Sequence, residues 1–188
     1  MSPRRWAVLL RGVNVGGVTV RSPALSACLQ GAGYTGVRSV LASGNVSLLA
    51  PADHDAAQVR SGVEAALRDG FGYEAWVVVL TPERLAEIAA GYPFERADEE
   101  FGPYCVFTSD PARLAELAAL AAAPGHATGE DLLAPAGDVL YWRVRKGVTL
   151  ASPFGRLSAA RTWKPVITTR NLRTVEKLVA VCGAGLAP

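Results

Sequence analysis

Apolar and polar positions along this chain follow two periods, and the switches between them mark its elements. Residues 6–10, WAVLL, form a short unbroken apolar run that predicts a buried strand. A glycine-bearing loop follows from Gly12 to Arg21, and Ser22-Pro23 reads as the start of a helix to about Gln30, which Gly31 and Gly33 end. Residues 37–42 and 46–49 predict two strands joined at Ser43-Gly44-Asn45 as a hairpin. From Asp53 to Phe71 the period is helical, with Val59, Val63 and Leu67 on one face. Ala75 to Leu80, AWVVVL, has the continuous apolar character of a central strand covered on both faces. The first half therefore reads βαββαβ, a ferredoxin-like arrangement. A further helix spans Pro82 to Gly91.

The second half repeats this rhythm less regularly. A strand is expected at 104–108, a helix from Asp110-Pro111 to about Ala122, and a hairpin from 130–134 and 138–145. A final helix is expected from about Thr169 to Cys182, with Thr168 or Thr169 as its N-cap. The expected fold class is α+β, a ferredoxin-like half (1–95) packed against a βαββα half (96–188). No residue-level repeat links the halves, and no low-complexity linker separates them. Val77, Val79, Leu172, Val175, Leu178 and Cys182 are the expected core positions on their elements.

Composition adds compartment and charge. No apolar run approaches the ~20 residues of a membrane span, and the run after Arg4 and Arg5 is too short for a secretory signal. The cysteines Cys28, Cys105 and Cys182 are widely spaced and form no CxxC pair, so they read as reduced thiols in a cytoplasmic protein. Charge is segregated. Residues 1–52 hold five arginines and no acid, residues 53–137 are strongly acidic, and residues 138–188 hold nine basic side chains against Asp138 and Glu176. Either these are solvated faces, or the two basic ends meet in one anion-attracting face.

Three segments carry candidate chemistry. In Leu9-Leu10-Arg11-Gly12-Val13-Asn14-Val15-Gly16-Gly17, a strand ends in a loop presenting Arg11 and Asn14, with glycines that let a ligand approach the backbone. It lacks the GK[ST] of a P-loop and the GxGxxG of a dinucleotide site, and taken alone it is better explained as a tight strand exit with Asn14 bonding its own backbone. Ser43-Gly44-Asn45 is explained as a turn. In Thr168-Thr169-Arg170-Asn171-Leu172-Arg173-Thr174-Val175-Glu176-Lys177, the cations Arg170, Arg173 and Lys177 share a helical face opposite the apolar one. Arg170 is expected in the first helical turn, where a cation opposes the helix dipole unless an anion binds there.

LLRGVNVGG, SGNV and TTRNLRTVEKL, in this order, together with Tyr92-Pro93-Phe94, resemble the motifs of the domain of unknown function 1697 family. The resemblance implies an α+β fold of ferredoxin-like pieces and no known activity. It places Arg11, Gly12, Asn14, Gly16, Gly17, Ser43, Gly44, Asn45, Thr169, Arg170, Asn171, Thr174 and Lys177 at motif positions. After Gly17 this chain reads Val-Thr-Val-Arg, where the family pattern carries basic and apolar helix-start residues.

With His54 and His126 as the only histidines and no clustered cysteines, neither a zinc site nor any other metal or cofactor is expected. No GxSxG elbow marks a hydrolase. The strands lack the aromatic pairs of an RNA-recognition module. The expected function is a binding module for a phosphate-bearing or other anionic ligand, a nucleotide or a nucleic-acid backbone. Its ligand-binding residues are drawn from Arg11, Asn14, Gly16, Gly17, Ser43, Asn45, Thr169, Arg170, Asn171, Arg173 and Lys177. An enzyme acting on a small anionic substrate, and an assembly protein with no ligand, are the alternatives. No membrane partner is expected, and the sequence does not specify an oligomeric state.

Overall fold

The structure, a computed structural model, describes residues 2–11, 20–41, 44–72, 74–123 and 131–184. The chain divides into two compact units, Met1–Glu87 with Thr174–Pro188, and Ile88–Arg173. The boundary expected near residue 95 thus lies within the second unit, and the chain returns to the first for its last helix.

The first unit contains β1 (Arg4–Arg11), α1 (Ser22–Gly31), β2 (Thr35–Ser39), β3 (Asn45–Ala50), α2 (Ala56–Phe71) and β4 (Trp76–Leu80). Its strands form one antiparallel sheet in the order β2-β3-β1-β4. Alternation along β1 sends Trp6, Val8 and Leu10 into a core with Leu25 and Leu29 of α1 and Val59, Val63 and Leu67 of α2. Ala7 and Leu9, which point to the opposite face, are also buried. The doubly covered central strand is therefore β1. AWVVVL, expected in that place, forms β4 at the sheet's edge, where Val77, Val78 and Leu80 are buried and Val79 is only partly so. An apolar run reports burial on both faces, and burial does not require a hydrogen-bonded neighbour on each side. Helix α2 starts later than periodicity suggests, because Asp55 caps it. The Asp55 side chain accepts from Gln58 N at 2.8 Å, and Gln58 Oε1 accepts from Asp55 N at 2.8 Å.

Helix α3 (Pro82–Ala90) spans the division between the units. The second unit holds β5 (Phe101–Thr108), α4 (Pro111–Ala122), β6 (Leu132–Ala136), β7 (Val139–Arg145), α5 (Pro153–Ser158) and β8 (Ile167–Asn171). Its antiparallel sheet has the order β6-β7-β5-β8, which is the first sheet's order with each strand replaced by its counterpart. The second half is thus fuller than its pattern predicts. Helix α5 was not legible, and β8 was read as the start of the final helix. Six residues of α5 are too few to show a helical period, and Ser152 opens it by accepting from Gly155 N at 3.0 Å. Val106, Leu140, Trp142 and Val144 pack with Leu114, Leu117 and Phe154 on one face of this sheet.

The segment leading into β5 is held by a cluster of charges. Arg143 Nη2 lies 2.5 Å from Asp98 Oδ2, and its guanidinium sits 3.7 Å from the centre of the Phe101 ring. Asp98 Oδ1 also accepts from the backbone N–H groups of Glu100 at 2.8 Å and Phe101 at 3.0 Å. The Arg143 hydrogen bond, with these backbone donors, holds the Asp98 carboxyl below its usual range. A depressed folded-state pKa stabilises the fold above the unfolded value of about 3.9, and the contribution is lost as pH falls through the folded value. In a pH series of denaturation midpoints, the deficit of Asp98→Asn relative to the parent should be largest near neutrality and shrink below about pH 4. A deficit independent of pH would contradict this account.

Helix α6 (Leu172–Gly183) closes the chain. Leu172, Val175, Leu178 and Cys182 are buried, as their helical spacing predicts.

Candidate functional site

In the first unit the topology gathers the polar motif residues at one end of the sheet. Arg11 ends β1, and its register partner on β4 is Trp76. On the other side Leu9 pairs with Asn45 at the start of β3. Leu10 N donates to Gly44 O at 2.7 Å, which ties the β2–β3 turn to the end of β1. The end of β1 and the start of β3 therefore lie on neighbouring strands at the same end of the sheet. Asn14, Gly16, Gly17 and Ser43 lie outside the described residues.

The side chains here differ in what they do. Asn45 is buried, and its Nδ2 donates to Val40 O at 3.1 Å while Val40 N donates to Asn45 O at 2.8 Å. These two bonds join the end of β2 to the start of β3. Gly44 takes φ 77°, a conformation glycine adopts without cost. Leu41 takes φ 57° and is 51% exposed, so an apolar side chain sits in a left-handed backbone with little burial in return. Arg11 is half-buried, and desolvation lowers its pKa.

The final motif is split between two elements, which corrects the helix expected from Thr169. Thr168, Thr169, Arg170 and Asn171 lie on β8 and pair with β5, Thr169 opposite Val106 and Arg170 opposite Cys105. Three consecutive β-branched residues, Ile167, Thr168 and Thr169, favour this strand, and the ladder to β5 satisfies its backbone. The N-cap role falls to Asn171, whose Oδ1 accepts from Arg173 N at 3.0 Å. Arg170 is thus not in the first helical turn, and the dipole argument for an anion there no longer applies. Its Nη1 donates to Thr168 Oγ1 at 2.8 Å and to Thr169 O at 2.9 Å. Arg173 and Lys177 are exposed on α6.

The segregation of charge along the sequence is not a segregation between the two units. The first unit carries nine basic against eight acidic side chains, and the second ten against nine. In the second unit most acidic side chains, among them Asp98, Glu99, Glu100, Asp110, Asp131 and Asp138, lie between the helices and strands.

Sequence reasoning missed a buried polar cluster in the first unit. Arg5 is 8% exposed at the head of β1, and its Nη1 donates to Ser47 Oγ at 3.0 Å. Cys182 lies beside them. Burial raises its thiol pKa, while the Ser47 hydrogen bond and the Arg5 charge pull it down. Burial and the charge of Asp69 likewise raise Cys28. Neither is a thiolate nucleophile at neutral pH. The place of Arg5 at i−2 and i−4 to Ala7 and Leu9, on one face of a buried strand, is the available signal. Tyr92, in the mid-chain motif, donates to Trp142 O at 3.3 Å and packs edge-on against Phe94 and Tyr141. Its pKa is pushed up to about 12, chiefly by burial. It anchors the start of the second unit.

Among the described residues, two four-stranded antiparallel sheets of matching strand order, with six helices, define an α+β protein. The chain belongs to the DUF1697 family of proteins of unknown function, whose model matches residues 4–141. The TTRNL segment lies beyond that match. No curated protein matches the sequence. Among solved structures, the chain is similar to the conserved bacterial protein SP0830 from Streptococcus pneumoniae, with 19% identity and a TM-score of 0.76 over 96% of this chain and 99% of that one. That likeness extends the shared fold beyond residue 141. An unknown protein from Galdieria sulphuraria aligns over 97% of this chain and 91% of its own, at 12% identity and a TM-score of 0.26. No helix among the described residues is long and apolar enough to cross a membrane.

Proposed function

We propose that this protein is a binding module for a phosphate-bearing or other anionic ligand, held at the end of the first unit's sheet. The carrying observation is Arg11, a half-buried guanidinium at the exit of β1 beside the β2–β3 turn. A partly desolvated guanidinium binds phosphate or carboxylate oxygens more strongly than one in water, and can do so bidentately. The strained Leu41 supports the same place. Backbone strain of about 1–3 kcal/mol persists where the surroundings impose it, and such positions cluster at ligand sites. Among the described residues at this end, Arg11, Asn45 and Trp76 supply neither a general base nor a nucleophile, which favours binding over catalysis. The bonds made by Asn45 and Asn171 support a purely structural role for those two residues. The ferredoxin-like reading of the first half is supported by its strand order. Three free thiols support a cytoplasmic protein.

A low-salt thermal-shift screen over inorganic phosphate, nucleotides, sugar phosphates and oligonucleotides tests the reading. A ligand at about 100 times its dissociation constant should add ~2.7 kcal/mol of stability. Arg11→Gln should remove that shift. A screen with no positive anion, or a shift that Arg11→Gln leaves intact, would refute the site.

A further inference from the structure

The longest stretch without an acidic residue in the second half, residues 139–175, contains eight arginines and lysines. Those on β7 are engaged. Arg143 pairs with Asp98, Arg145 with Glu100, and Lys146 donates to the backbone carbonyls of Asp98 and Glu99. The next three make no ion pair. Arg156, Arg161 and Lys164 are all exposed, and no carboxylate pairs with them among the described residues. Arg156 reaches only the Ala151 carbonyl.

These three cations share one scaffold. From Gly155 in α5 the backbone passes through successive turns to Ile167 at the start of β8, with Ala159 N bonded to Gly155 O, Ala160 N to Leu157 O, Trp163 N to Ala160 O, Lys164 N to Arg161 O and Ile167 N to Trp163 O. The large apolar residues of the run and its entry, Phe154, Trp163 and Ile167, are buried in the unit's core. Trp163 is gripped from outside by Arg113, 4.7 Å from the ring centre, whose own charge is matched by Glu116 at 2.5 Å and which also donates to Thr162 Oγ1 at 3.1 Å. The run is thus a rigid platform. Its exposed residues are Arg156, Arg161 and Lys164 with Ala159, Ala160, Thr162 and Pro165. Small residues leave room for a polymer backbone to approach, and guanidinium groups suit phosphate oxygens.

We propose that the Gly155–Ile167 run is a docking surface for the phosphate backbone of a nucleic acid. It uses residues other than Arg11, so either proposal can fail alone. The contacts are to phosphates and carry no sequence specificity, so affinity should fall steeply with salt.

The test is the binding of a labelled single-stranded oligonucleotide of about 20 nucleotides to the full chain, between about 50 and 200 mM salt. Replacing Arg156, Arg161 and Lys164 with Gln should weaken binding at low salt by about tenfold or more. It should also reduce the slope of log affinity against log salt by about 2, the value for three phosphate contacts on a single strand. The melting temperature should not change, because the three side chains are exposed. Should that variant unfold, Arg156→Lys with Arg161→Lys provides a second measure, since it keeps the charge and should keep the slope. A phosphate-induced thermal shift that depends on Arg11 should persist in the Gln variant. Failure of the parent to bind the oligonucleotide would overturn the proposal, as would an unchanged slope in the Gln variant. So would binding confined to phosphatidylserine vesicles and lost in Leu150→Ser. Leu150 is 80% exposed on the preceding turn, and that result would make this a membrane-facing surface.

Discussion

Phe107→Ala should lower the unfolding free energy by about 3–5 kcal/mol, the largest single loss expected in the second unit. Phe107 is fully buried near the end of β5, a strand flanked by β7 on one side and β8 on the other. Its ring does not point into the cluster of Val106, Leu140, Trp142 and Phe154. It lies on the opposite face with Cys105, also fully buried. The sheet is therefore covered on both faces, and truncation leaves a cavity that a strand pinned by two ladders cannot collapse to fill. Chemical denaturation of the variant gives the value directly. A loss near 1 kcal/mol would mean that this face is loosely covered and accommodates the change.

Leu178→Ala should cost about 2–5 kcal/mol. Leu178 is fully buried midway along α6, between Val175 and Cys182 on the same helical face. The helix belongs to the first unit from Thr174 onward, although it is the last element of the chain. The loss should therefore destabilise the first unit, which native-state amide exchange resolves as lowered protection in β1 and β3. A loss under half a kcal/mol would show that the helix docks weakly. That would contradict the burial of all four apolar residues on its face.

These two positions show different degrees of legibility. The face of α6 could be read from spacing alone, because a helix that buries one stripe must repeat it every three to four residues. The burial of Phe107 on the second face of its sheet could not, since alternation in β5 shows two apolar faces without saying what covers each. The candidate site divides the same way. Arg11 and the glycine loop were picked out as a strand exit, and β1 does end at Arg11. Arg170 was picked out for a helix-dipole conflict that does not exist, because the ladder to β5 claims residues 167–171 for a strand. A pairing partner some sixty residues upstream leaves no mark on the local sequence. The basic surface of residues 155–167 was visible as cations, but its exposure depended on Trp163 and Ile167 turning inward.

By itself the sequence determined the order of most elements, the α+β class, the apolar stripes of α2 and α6, and the turn at Gly44. Each of these follows from local periodicity or from the φ angles a residue type allows. Tertiary structure alone decided that AWVVVL is an edge strand and that TTRN is a strand and not a helical turn. It also decided that the last helix belongs to the first unit, and that charges segregated along the chain are balanced within each unit. The physical reason is common to all four. Strand neighbours, helix docking and charge neighbourhoods are set by contacts between residues far apart in sequence, and no local pattern encodes which distant partner will satisfy a given backbone or bury a given face.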